Sequence, residues 1–443
     1  MKNKTLKIII ILNVILFLSS PIISSISSIK ISKNDSTELI ENISETNHID
    51  PKIVSAIQMV TESLLKEYMS VLTVEIGPRV TGTYGCEEAA KYIFKQFENM
   101  DLETRYHNWQ GLNYRKPPKY YKSQNIEGTL KGIDKSNDEI LVFNAHYDTI
   151  KDSPGAIDDG SGTVAVMAAA YVLSQFDFNR TIKFVAFSGE EVGIIGSRTY
   201  VRDLYKKDTN ILVEFNADMI GFSDESEEVP SVYISPSEDA KWILNEIKKV
   251  NNNYGIGFNI KSWGTISSDG DRSGSDFYDF LLHGYESIAF WQSGRYDYYH
   301  SPEDTIDKVN FSYLANMTKL IVASIAHMAD IDVYYPQITI GAPKRGRYYF
   351  EDRTLFVFKY ERIRVINDVL ICTKVKPGNA SIEKVEFYYD GKLMFSDTDM
   401  PYQWRLNKLS IRKHTVEVIL YDTLGRTASD KVTFRYINLN RNR

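Results

Sequence analysis

The chain has 443 residues, more than one hydrophobic core usually organises, so two domains are expected. Apolar residues make up 43% and charged residues 25%, the balance of an ordinary globular protein and not of a fibrous or disordered one. A formal net charge of −6 without a basic stripe gives no reason to expect nucleic acid, and two cysteines, Cys86 and Cys372, are too few for a disulfide scaffold.

At the N-terminus Lys2, Lys4 and Lys7 precede an apolar block, Ile8 to Leu18, interrupted only by Asn13. Pro21 and the serine-rich Ser24 to Ser28 follow. This is the layout of a secretory signal, so residues 1–28 are expected to be a signal peptide or an N-terminal membrane anchor. The block is short for a membrane span and no A-x-A cleavage site is visible, which leaves both outcomes open. The location implied is secreted or extracytoplasmic. Residues 29–50 are polar and aperiodic, a spacer or short propeptide.

From 51 to 333 a folded domain is expected. Ile53, Ile57, Val60 and Leu64 recur at helical spacing, predicting one amphipathic helix over Pro51 to Met69. A turn-rich entry, Arg79-Val80-Thr81-Gly82-Thr83, leads into a second helix over Cys86 to Met100. Ser123 to Leu130 reads as a strand pairing with the next one. That next one, Ile140-Leu141-Val142-Phe143, is short, branched and bounded by charge, as a buried strand should be. It runs into Asn144 to Gly162, which reads NAHYDTIKDSPGAIDDGSG. Alternate residues of a strand share a face, so His146 and Asp148 point the same way. The loop returns Asp158 and Asp159, and Gly160-Ser161-Gly162 opens a helix over Thr163 to Phe176.

Two more strands end in acids: Thr181 to Phe187 before Glu190-Glu191, and Ile211 to Ala217 before Asp218. A strand at 231–234, helices at 238–252 and 275–283, a strand at 286–291, a loop carrying His300 and a helix at 309–330 complete the domain. Strands alternating with helices predict an α/β domain, a mainly parallel central sheet with helices on both faces. In such sheets ligands sit at the carboxyl ends of the strands. Several carboxylates gathered there would repel one another without a cation, and together with imidazole nitrogens they suit zinc.

From Tyr334 to Arg443 the pattern changes to short alternating runs and turn signals, including Asp390-Gly391 and the strictly alternating His414 to Tyr421. This predicts a C-terminal all-β immunoglobulin-like sandwich of about seven strands. It would bind a surface or a glycan, or pack on the catalytic domain.

The ordered set of motifs resembles the co-catalytic di-zinc aminopeptidase family, which includes secreted leucyl aminopeptidases and glutamate carboxypeptidase-like zinc peptidases. The segments that carry the resemblance are His146-Tyr147-Asp148, the loop Gly155 to Gly162, Glu190-Glu191, Asn216-Ala217-Asp218, and Tyr299-His300-Ser301-Pro302-Glu303-Asp304-Thr305. They span about residues 55–330. The resemblance implies a peptide substrate and two Zn2+ ions bridged by Asp158, with His146 and Asp218 on one ion and Glu191 and His300 on the other. Glu190 would be general base toward the water the ions share, and Asp148 would accept a hydrogen bond from His146. It also implies a cis bond after the bridging acid, between Asp158 and Asp159. The family's Ser-Asp-His stands here as Ser275-Asp276-Phe277, which touches specificity and not metal binding. Arg272, in the loop before it, is a candidate substrate-binding residue.

Each motif alone has an ordinary structural reading: a helix-capping turn, a hydrogen-bonded strand end, a surface histidine. Five in order do not share one. His48, His107, His283, His327 and His414 lack acidic partners at useful spacing and read as structural or exposed. Trp263 and the tyrosines Tyr296, Tyr298 and Tyr299 border the substrate or pack as aromatics. Competing readings are a carboxypeptidase-type or glutaminyl-cyclase-type relative, and an inactive cell-surface binding protein. Retention of the base with all five ligands speaks against the last.

Overall fold

The structure is a computed structural model describing residues 49–439 except 114–116, 224–226, 238–239, 267–273, 332–335, 358–361, 379 and 424–425. The expected signal or anchor segment lies outside the described residues. Among those residues, no helix is long and apolar enough to cross a membrane.

Eight strands form the central sheet: β1 (Glu103–Asn113), β2 (Lys119–Leu130), β3 (Ile140–His146), β4 (Thr181–Phe187), β5 (Ile211–Ala217), β6 (Ser231–Pro236), β7 (Asn259–Lys261) and β8 (Ser287–Gln292). Their order is β1-β2-β4-β3-β5-β8-β6-β7. The middle four, β4-β3-β5-β8, run parallel. The β1–β2 hairpin adds antiparallel to β4, and β6 adds antiparallel to β8. Every residue of β5 is buried, as expected of a strand covered on both faces. Ser123 to Leu130 therefore pairs with β4, Ile126 opposite Ala186, and not with β3 as its position in sequence suggested. Both edges of β3 are taken by the parallel strands β4 and β5, so the hairpin is left to the outside.

The helix Gly160–Leu173 is buried at every position but Tyr171. It is apolar all round because it lies between the sheet and the outer helices Glu62–Ser70 and Phe311–Asp330. The single helix expected over 51–69 is two, Pro51–Met59 and Glu62–Ser70, broken where Thr61 turns extended at φ −120°. Thr61 Oγ1 accepts the Leu64 N–H at 3.2 Å and caps the second helix. Ile53 and Ala56 of the first and Leu65 and Met69 of the second face one core, which preserves the apolar period across the break.

The C-terminal part is all β. Its ten strands among the described residues exceed the seven expected: β9 (Gln337–Ala342), β10 (Arg347–Phe350), β11 (Arg353–Val357), β12 (Arg364–Ile366), β13 (Val369–Lys376), β14 (Ile382–Tyr389), β15 (Lys392–Asp397), β16 (Gln403–Leu406), β17 (Lys413–Asp422) and β18 (Thr427–Ile437). They form a seven-stranded sheet, β11-β10-β12-β18-β17-β14-β15, and a three-stranded one, β16-β13-β9. The extra strands are short, β12 having three residues, too few to show an alternation in sequence. Asp390 and Gly391 make the β14–β15 turn with φ of 49° and 76°, as a two-residue hairpin turn requires.

Candidate metal centre

The parallel register sets the site. His146 lies opposite Phe187 and Asn144 opposite Asn216, so β3, β4 and β5 end level. His146, the Ser188 to Glu191 segment and Asp218 therefore emerge together at the carboxyl edge of the sheet.

Three buried groups hold the loop that brings in Asp158. Arg79, with no exposed surface, donates to five main-chain carbonyls: Tyr147 (2.6 Å), Leu72 (3.2 Å), Gly77 (3.3 Å), Pro154 (2.5 Å) and Gly155 (2.9 Å). Burial lowers its guanidinium pKa to about 10. Asp304 accepts the N–H groups of Ile157 (2.8 Å) and Asp158 (3.0 Å). Asp159 accepts from Gly162 (2.8 Å) and Met219 (3.1 Å) through one oxygen and from His146 N (3.3 Å) through the other. It thereby caps the helix and ties β3 to the residue after Asp218. Gly162 admits no side chain, since a Cβ there would lie 2.2 Å from the Ala217 carbonyl oxygen. The Asp158–Asp159 peptide is cis, where the resemblance put it.

The five expected ligands converge. His146 Nε2 lies 3.3 Å from Asp158 Oδ1 and 3.8 Å from Asp218 Oδ1. His300 Nε2 lies 3.0 Å from Asp158 Oδ2 and 3.1 Å from Glu191 Oε2. Two triads result, His146–Asp158–Asp218 and Asp158–Glu191–His300, each with its donor atoms within 4.8 Å of one another. They share Asp158, one oxygen toward each. Glu190 joins the cluster through a third group, His146–Glu190–Glu191. His300 reaches in from a left-handed backbone, φ 54°, with its ring stacked on Tyr299 at 3.8 Å.

The donor set fits zinc, which takes imidazole nitrogen and carboxylate oxygen. Asp158 Oδ2 and Glu191 Oε1 are buried without a hydrogen-bond partner. Asp158 Oδ2 is close to His300 yet makes no bond of good geometry with it, so both atoms face a common space. Burial pushes the Glu190 carboxyl well above the usual range, opposed by His146 and helped by the charges of Asp276, Asp218 and Glu191. Burial likewise raises Glu191 and Asp159. Asp158 runs the other way: its contacts with His146 and His300 outweigh burial and lower it to about 2. A divalent cation is the counter-charge that lets such a cluster ionise.

Several expectations need correction. The nearest acceptor for His146 Nδ1 is the main-chain oxygen of Asp148 at 3.1 Å, with its carboxylate at 3.7 Å. That carboxylate instead accepts from Thr81 Oγ1 (2.5 Å) and Glu190 N (3.3 Å), tying the entry segment to the loop that carries Glu190. Arg272 falls outside the described residues. Three of the other histidines do have acidic partners from distant segments: His107 with Asp203 (3.3 Å), His327 with Glu246 (3.1 Å) and His414 with Asp390 (2.6 Å). None of the three belongs to a metal-holding group among the described residues. Trp263 is 65% exposed and stacks on Tyr233 at 4.3 Å, whereas Tyr296 donates to Asp304 at 2.7 Å and is structural. Asp304 is a positioning residue that the sequence does not mark as one. The signal was present in the motif that carries His300, but an acid four residues after a ligand has no role until its partners are seen.

Residues 125–325 match the model of Peptidase family M28, and residues 369–418 match that of a bacterial Ig domain. The chain is 32% identical over 209 residues to aminopeptidase YwaD of Bacillus subtilis (strain 168), covering 46% of this chain and 44% of that protein. It is 30% identical over 268 residues to leucine aminopeptidase 1 of Ajellomyces dermatitidis, covering 56% and 66%. The matched stretches thus span less than two thirds of these relatives. In structure the chain resembles BSAP, a zinc aminopeptidase from Bacillus subtilis, with a TM-score of 0.53 at 20% identity, covering 61% of this chain and 96% of that one. At that identity the likeness is one of fold. Residues 125–325 thus carry the likeness to peptidase family M28, and a stretch similar to a bacterial Ig domain follows them.

Proposed function

We propose that this chain is an exported zinc-dependent aminopeptidase that removes N-terminal residues from peptides. The observation that carries the reading is the pair of triads sharing Asp158. His146 and Asp218 would hold one ion, Glu191 and His300 a second, and Asp158 would serve both. Zinc bound there supplies Lewis acidity and a water that ionises near neutral pH. Glu190 takes a proton from the attacking water and returns it to the amine nitrogen as the C–N bond breaks. Asp148 positions the Glu190 main chain. The lysine-led apolar block at the N-terminus supports export or anchoring outside the cytoplasm. Packing of the sandwich on the peptidase domain is supported by Glu139, which meets Arg180 at 2.7 Å and also Lys376, and by Asp208, 2.6 Å from Lys344.

The test is a panel of aminoacyl fluorogenic peptides, free or blocked at the N-terminus, with and without chelator, alongside metal analysis. Cleavage of free substrates only, its loss with chelator, and two zinc equivalents per chain are expected. Release of amino acid from blocked peptides would favour a carboxypeptidase-type enzyme and overturn the reading.

A further inference from the structure

A cleft of about 1110 Å³, lined by none of the metal-centre residues, lies between the peptidase domain and the sandwich. One wall is the helix Ile195–Lys206 with residues 278–286, which lead into the start of β8. The other is built by β12, β17 and β18.

Besides Arg198 and Lys431, six cations line this cleft: Arg202, Arg345, Arg362, Arg364, Lys413 and Arg435. None of the six forms an ion pair among the described residues. The Nε of Arg202 is buried and finds no acceptor. Arg364 lies over the Tyr348 ring at 4.9 Å, a stacked arrangement that leaves the guanidinium edge free. Three of the four acids of the cleft are held by other partners, and the fourth has a cation across the ladder. Asp279 faces Arg198 at 3.6 Å, Glu286 accepts from Trp242 Nε1 at 3.2 Å, and Glu417 lies opposite Lys431 in the β17–β18 register. Asp430 accepts the Ile340 N–H at 2.5 Å, and burial raises its carboxyl. A chain of net charge −6 thus gathers uncompensated positive charge in one place.

Five of the six are arginines, whose planar fork suits oxyanions bidentately. Between them stand hydroxyls, Thr265, Thr339 and Ser429. The aromatic rings of the cleft are packed away: Phe434, 1% exposed, against Tyr436, Tyr285 against Phe280, and Tyr278 against the cluster of Phe277, Leu281 and Ala289. No free ring is offered for a base to stack on, the feature single-stranded nucleic acid requires. We propose that this cleft binds a polyanionic glycan or polyol polymer through its sulfate or phosphodiester groups, with hydroxyls meeting hydroxyls between the charges.

The test uses the full chain and two probes by titration calorimetry, a heparin octasaccharide for sulfate esters and a glycerol phosphate octamer for phosphodiesters. At least one binds, more than tenfold weaker at 0.5 M NaCl than at 0.05 M, and the tighter of the two identifies the source of the anion. Arg362→Glu with Arg435→Glu, both at exposed positions, weakens binding at least tenfold. Arg202→Gln, on the other wall, weakens it severalfold. Lys95→Glu and Lys131→Glu, outside the cleft, change nothing. Absence of binding by both probes, unchanged binding in the Arg362/Arg435 variant, or tighter binding of an oligothymidylate of equal charge would each overturn the proposal. Binding is read without turnover, so the outcome does not depend on the peptidase reading.

Discussion

Asp304 and Asp158 are joined across 146 positions of sequence: Asp304 Oδ2 accepts the main-chain N–H of Asp158 at 3.0 Å. Its other oxygen takes Ile157 N at 2.8 Å and the Tyr296 hydroxyl at 2.7 Å, and its carbonyl takes Ala156 N at 3.1 Å. Four residues earlier stands His300. One carboxylate therefore sets the distance between Asp158 and His300. Asp304→Asn turns one acceptor into a donor facing a donor. Zinc affinity should fall by about 10–100-fold, the usual cost of losing an outer partner, measured by chelator competition. Equal affinity in variant and parent would sink this role.

Glu190→Gln keeps the side-chain volume and removes the proton acceptor. Turnover of an aminoacyl substrate should drop by roughly 10²–10⁴, while zinc content by elemental analysis and KM stay near the parent values. Loss of zinc together with activity would instead make Glu190 a ligand.

Arg79 is a buried cation without a carboxylate, held by five carbonyls. Lysine has one ammonium in place of a fork and cannot reach them all. Stranded buried carbonyls cost about 1–3 kcal/mol each, partly recovered by relaxation, so Arg79→Lys should destabilise by roughly 2–4 kcal/mol. The urea midpoint of the zinc-free protein reads this directly. An unshifted midpoint would show that the loop stands without it.

Glu214, on β5 beneath the centre, is fully buried and accepts from Asn144 at 2.5 Å. Burial raises its pKa to about 8, against about 4.3 for an exposed glutamate. A group raised in the folded state contributes stability that is complete below the unfolded value and is lost as pH rises through the folded one. The parent should therefore lose stability between about pH 4.3 and about pH 8. Glu214→Gln should gain on it across that window and level off above. Denaturation curves of both proteins from pH 5 to pH 9 check this, and parallel curves would contradict the raised value.

Local chemistry was readable without the fold. The buried strands around 140, 181 and 211 announce themselves as branched apolar runs, because a strand covered on both faces has no polar alternation. Each leads into a residue that could hold a metal, and Gly160-Ser161-Gly162 marks a helix start that Asp159 caps. The break at Thr61 stayed hidden because both helices feed one core in one period. Sequence order points Ser123–Leu130 to the wrong partner because pairing is decided by which edges remain open, not by proximity along the chain.

The amino-acid sequence alone determined the α/β class, the all-β tail and which side chains can hold zinc, since these depend on residue type and short-range spacing. Only the tertiary structure decided that Asp158 turns one oxygen toward each histidine, that Asp148 serves Thr81 and the Glu190 main chain, and that six unpaired cations meet in one cleft. Those facts are distances between groups tens to hundreds of residues apart. They come from strand register and from the way loops close over the sheet edge, which no local pattern encodes.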